Sequence, residues 1–141
     1  MGDAAATRVL IRRFEDAMNS RQLDDLDELL AVDFLRHCQA TPHLDIRSRE
    51  QFKDFLREDA ATFPDNVQTF TQVIVDGDRV AGWATYEGTQ MGPLGPFPAS
   101  GKKASFDFGC TMRIADGKLA ELWITWDNLT ILGQLGPLPA P

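Results

Sequence analysis

Two Asp-Gly dipeptides, at 76–77 and 116–117, constrain this chain more than any other feature. Asp-Gly between apolar runs is the strongest short-range signal for a β-hairpin, because the turn that suits a twisted ribbon needs positive φ at its central residues. The run Val67–Val75 enters the first turn and Arg79–Thr89 leaves it; Lys103–Ile114 enters the second and Leu119–Trp126 leaves it. Four long strands with such short connections make an antiparallel sheet, and strands of this length twist strongly.

Ahead of Val67 the apolar period changes from two to that of a helix. Val9, Leu10, Phe14, Ala17 and Met18 form one stripe, which predicts a helix from about Ala4 to Asn19 with Asp3 as its N-cap. A short helix is expected near Asp24–Ala31, with Leu26, Leu29 and Leu30 inward. A third starts at Ser48, where Gln51 three residues on completes a capping box, and stops near Phe63 before Pro64. Asn128 to Leu135 reads as a short final helix, closed by Gly136 and Pro137. Helices first and strands afterwards indicate an α+β fold in one domain over 1–141: three N-terminal helices packed in a strongly curved antiparallel sheet. The Gly- and Pro-rich stretch Met91–Pro98 between the hairpins cannot be regular structure and is expected to act as a lid.

Composition narrows the partners. A formal net charge of −7 argues against nucleic acid and anionic membranes, since neither polyanion gains from meeting an acidic surface. No apolar run approaches the roughly 20 residues that span a bilayer, and the N-terminus does not read as a secretion signal, so a cytoplasmic protein is expected. The two cysteines, Cys38 and Cys110, form no CxxC pair, and no HxH or HExxH spacing suggests a metal. No glycine-rich loop opens a helix after a strand, so no nucleotide cofactor is expected either. An open sheet face carrying Trp83 or Trp126 suggests a homodimer formed through that face.

If Asp116-Gly117 are the two central turn residues and the ladder is regular, Met112 opposes Glu121, Cys110 opposes Trp123, Phe108 opposes Thr125 and Phe106 opposes Asp127. All would share one face. Asp127 would then stand against Phe106, Phe108, Cys110 and Trp123, and an apolar site disfavours its ionised form. A carboxyl shifted in this way can take a proton from an activated carbon and return it. The same residue precedes the last helix, where Asp is a favoured N-cap, and one side chain can do both. Glu121 lies roughly 20 Å from Asp127 at strand rise and is read as structural. His37, expected in a loop after the second helix, is a surface residue or a second proton carrier; His43 has less to recommend it.

The segments GDRV (77–80), GPLGPFPASGK (92–102) and above all DGKLAELWITWDNLTILGQLG (116–136) resemble the SnoaL-like polyketide cyclases, also called ester cyclases. The opening VLIRRFEDAMNSRQLDDLDELLAVDFLRH (9–37) is similar to that family's. The resemblance implies the nuclear transport factor two-like fold, a cone of curled sheet around helices. It also implies intramolecular aldol ring closure on a hydrophobic, polyketide-like small molecule, without metal or nucleotide. Asp127 would be the acid/base residue and His37 its helper. Phe14, Met18, Phe34, Phe106, Phe108, Cys110, Met112 and Trp123 would line the substrate pocket. The superfamily also holds isomerases, hydroxylases and epoxide hydrolases, and a non-catalytic binder of a hydrophobic metabolite is the alternative from another class.

Overall fold

The computed structural model describes residues 3–137. Helix α1 (Ala4–Ser20) is capped by Asp3, whose side chain accepts from the Ala5 amide. A 3₁₀ turn, Leu23–Asp25, leads into the single turn of α2 (Leu26–Leu29). Helix α3 (Arg49–Thr62) starts as expected, with the Ser48 hydroxyl accepting from the Gln51 amide at 3.1 Å. Helix α4 covers Asn128–Leu135, and Gly136 ends it at φ 101°.

The four expected strands are present: β2 (Val67–Asp76), β3 (Arg79–Thr89), β4 (Lys103–Ala115) and β5 (Lys118–Thr125). A fifth was not anticipated. The segment read as the end of a helix and a loop is β1 (Leu30–Cys38), which lies parallel to β5, so that the sheet order is β1-β5-β4-β3-β2. The expected helix over 24–31 therefore shrinks to one turn, because its buried leucines hand over directly to strand pairing.

Both hairpins form, and Asp116 (φ 52°) and Gly117 (φ 74°) adopt the left-handed backbone that the second turn demands. The ladder beyond it is not regular. Ile114 pairs with Leu119, but Arg113 pairs with Glu121, so Ala120 is an extra residue, a β-bulge. Past the bulge every side chain of β5 changes face relative to the expected register. Leu122 pairs with Met112 and Ile124 with Cys110 on the inner face, while Glu121 and Trp123 go to the outer one.

The α+β class and the helices packed against a curved sheet are as expected. The apolar interior divides in two. One cluster joins α1 and α3 to the sheet through Phe14, Phe34, Phe52, Met112 and Leu119, with Phe34 and Phe52 rings 5.0 Å apart. The other, around Tyr86, Phe108, Ile131 and Leu135, seats α4. Each buried aromatic or aliphatic side chain of this kind contributes about 1.5–3 kcal/mol.

Candidate active site

Between these two clusters the helices and the sheet enclose a cavity of about 610 Å³. Its walls are mostly apolar. Phe14 and Met18 come from α1, Phe55 from α3, Phe106, Phe108 and Cys110 from β4, and Leu122, Ile124 and Trp126 from the last strand and its end. A volume of this size suits a small organic ligand of several rings.

The loop between the hairpins closes one side through Pro93–Phe97. It is a fixed strap. Leu94 and Phe97 exchange backbone hydrogen bonds of 2.8 and 3.0 Å, and the Thr62 carbonyl accepts from the Met91 and Gly92 amides. Gln90, 1% exposed, holds the strap's base: its side chain donates to the Pro98 carbonyl and accepts from the Ser100 amide. Gly92 passes so close to α3 that a Cβ there would stand 2.5 Å from the Ala61 carbonyl oxygen.

Three polar side chains matter inside this apolar shell. Asp59 projects from the third turn of α3 and its Oδ2 accepts from the Tyr86 hydroxyl at 2.8 Å. Burial raises the Asp59 carboxyl to about 6, against the lowering effect of the Tyr86 hydrogen bond and of the Arg21 and Arg36 charges. The surface that Asp59 does show belongs to the walls of this cavity and of a neighbouring one, not to a convex exterior. Burial and the adjacent Asp59 charge raise the Tyr86 phenol, so it remains a proton donor across the physiological range. The third is Arg36 on β1, 7% exposed, whose guanidinium carbon lies 4.2 Å from the Phe55 ring centre and 5.7 Å from that of Trp126.

The expected pocket residues divide accordingly. Phe14, Met18, Phe106, Phe108 and Cys110 line the cavity. Phe34 and Met112, each 1% exposed, are core residues that do not reach it. Trp123 is on the outer face, stacked on His37 at 5.3 Å, because the bulge at Ala120 turned it outward and brought Trp126 in. His37 is not in a loop. It sits on β1 opposite Trp123, with Nε2 2.6 Å from Glu121 Oε2, and Arg113 donates to the other oxygen of Glu121 at 3.2 Å. His43, passed over in the sequence, is at the cavity rim.

Asp127 is exposed and does not line the cavity, although its neighbours Trp126 and Asn128 do. Both its oxygens serve α4: Oδ1 accepts from the Leu129 amide at 2.9 Å and Oδ2 from the Thr130 hydroxyl at 2.9 Å. The cap reading therefore describes its surroundings, and the apolar enclosure expected for it does not form.

Asp59 was missed although its signal was legible. Phe52, Leu56, Asp59 and Phe63 recur at helical spacing, so an acid interrupts the inward stripe of α3. Arg36 was missed because β1 was. Among the described residues no group of three or more His, Cys, Asp or Glu side chains is arranged to hold a metal ion, and no helix is long and apolar enough to cross a membrane.

Comparison with known proteins agrees with this architecture. TsrD from Streptomyces laurentii superposes with a TM-score of 0.87 at 30% identity, over 98% of this chain and 100% of that one. IdmH from Streptomyces antibioticus, named as a proposed polyketide cyclase, gives 0.81 at 30% identity, over 92% and 97%. AclR from Streptomyces galilaeus, named as a proposed hydroxylase, gives 0.84 at 22% identity over 99% and 86%, a likeness of fold alone. No curated protein matches the chain. The family model described as SnoaL-like polyketide cyclase matches residues 8–135, nearly the full length, and the chain belongs to that family.

Proposed function

We propose that the protein is a cofactor-free cyclase acting on an apolar, polyketide-like molecule, and that Asp59, not Asp127, is its acid/base residue. One observation carries this reading: a carboxyl held at about 6 against a phenol, facing a cavity of aromatic and aliphatic side chains. Near neutral pH such a group is mostly ionised yet close to its titration range, which suits a proton that must be taken and returned.

Asp59 takes a proton from a carbon flanked by carbonyls: the C–H bond breaks and the carboxyl O–H forms. The enolate carbon attacks a second carbonyl of the same molecule, making the C–C bond and opening the C=O to an alkoxide. The alkoxide then recovers the proton from Asp59, and nothing is oxidised or reduced. Tyr86 keeps the carboxyl aimed and steadies its charge while the base form is needed. The strap and the walls select a folded conformer of the substrate, and much of the acceleration of an intramolecular reaction lies in that selection.

Proton abstraction can be tested without the natural substrate. With 2-tetralone in D₂O, followed by NMR, the wild type is expected to accelerate exchange at the carbon between ring and carbonyl. Asp59→Asn should lose about a hundredfold or more of the protein-dependent rate. Full activity in Asp59→Asn would end the assignment.

A further inference from the structure

The cavity wall contains a cation that no carboxylate touches among the described residues. Arg36 is 7% exposed, yet the side chains that bond its guanidinium among the described residues are Thr41, whose Oγ1 accepts at 3.1 Å, and Cys38, neither of them a carboxylate. No carboxylate comes within 4.0 Å of it among the described residues, although Asp59 is close enough for its charge to be felt. Half-buried Arg21 also touches no carboxylate, but four backbone carbonyls accept from it; the other basic side chain buried as deeply among the described residues is paired. Lys53, 3% exposed, is surrounded by Asp24, Asp27 and Glu50, and Arg49 pairs with Asp27 and Glu50. Burial accordingly lowers the Arg36 guanidinium from its ordinary value.

The rings of Phe55 and Trp126 offset part of this cost, since both present their faces to the cation. They flank the cation, and all three residues line the cavity. A guanidinium held against aromatic rings at the wall of an apolar cavity is a group that can take a carboxylate in two parallel hydrogen bonds.

Resting on the reading of this cavity as the substrate site, we propose that its ligand is an aromatic or conjugated acid whose carboxylate is anchored by Arg36. Such a ligand supplies the missing anion and lays its rings along Phe106, Phe108 and Trp126. Asp59 repels the same carboxylate, so the two ends of the ligand cannot be exchanged. The arginine thereby decides which carbon is presented to the base.

The test is a matched pair of unreactive probes, 2-naphthoate and 2-naphthalenemethanol, titrated into the full chain by calorimetry at pH 7.5. The wild type should bind the acid roughly tenfold or more tighter than the alcohol, as expected when a charge-assisted pair replaces a neutral contact. Arg36→Met should lose that preference while still binding the alcohol, and Arg36→Lys should recover only part of it. Equal affinity of the wild type for both probes overturns the proposal, whether or not the variants fold. So does an acid preference that survives in folded Arg36→Met. Asp59→Asn removes a charge that repels the carboxylate, so it is expected to keep or strengthen the preference while losing proton exchange, which separates failure of the anchor from failure of the base.

Discussion

A carboxyl borne by α3 faces the inner side of the sheet and another stands on its outer face; both have hydrogen-bonding partners, and the two move in opposite directions. Inside, Asp59 has a neutral phenol as its nearest partner and aromatic walls around it, and its carboxyl rises to about 6. Outside, Glu121 lies between His37 and Arg113, and those two hydrogen bonds hold it below the usual carboxylate range. The chemical group is nearly the same. Desolvation without a bonded cation makes an acid that can exchange protons at working pH, whereas two basic partners at the surface make one that stays ionised. The lesson is that an acid/base residue in this fold should be sought where counter-charge is withheld, not where polar residues are most numerous.

That contrast breaks or sharpens at several points. The largest effect belongs to the base itself. Asp59→Asn should cost about a hundredfold or more in protein-dependent exchange, whereas His37→Ala on the far face should leave the rate unchanged. A comparable loss in both variants, read by the same NMR exchange assay, would dissolve the distinction between the faces.

Next comes pH. Because the folded Asp59 carboxyl lies above its unfolded value, the native state binds the extra proton. The stabilising contribution is complete at low pH and disappears as pH rises from about 4 to about 6. The exchange rate should climb over the upper part of that window as the base form appears. Asp59→Asn should be more stable than wild type at pH 8 by up to about 3 kcal/mol, the upper bound from a shift of about two units. Urea denaturation of the two proteins at pH 4.5 and pH 8 measures the difference, and an Asp59→Asn variant that is less stable than wild type at pH 8 would contradict it.

A smaller effect is expected at the cap. Asp127→Ala should lose about 1 kcal/mol of stability through α4 while each folded molecule keeps its exchange activity. If activity per folded molecule falls with normal stability, Asp127 regains the role that the sequence suggested. Smallest of all, Glu121→Gln on the outer face should cost under about 1 kcal/mol and leave the probes' affinities alone, since partly exposed ion pairs contribute little. A larger loss in thermal denaturation would mean that the outer cluster braces the sheet.

Much of the fold was legible because local chemistry decides it. The caps at Asp3 and Ser48, the Asp-Gly turn at 116–117 and the Gly136 stop each act within a few residues, and α4 falls on Asn128–Leu135 as its sequence indicates. The first strand was not legible, because its partner, β5, lies more than eighty residues away and its leucines suit a helix equally well. The site was readable in part. Five of the eight expected lining residues are in the cavity, and all five sit on α1 or β4, whose faces were assigned correctly. The three that are not, Phe34, Met112 and Trp123, fail for separate reasons: an unseen strand, a position sunk in the core and a bulge. Resemblance pointed to Asp127, and alternation placed it in the pocket; neither accounts for one additional residue in the ladder.

That additional residue, Ala120, has a consequence for how this scaffold can change. Removing it by a single-codon deletion would make the ladder regular while every pairing beyond it, Arg113 with Glu121, Met112 with Leu122 and Cys110 with Ile124, stayed as it is. Trp123 would stay on the outside, and Leu122 and Ile124 would keep lining the chamber. A lineage could thus lose or regain this one residue without changing which side chains meet the ligand, because the bulge absorbs the extra length instead of passing it down the strand.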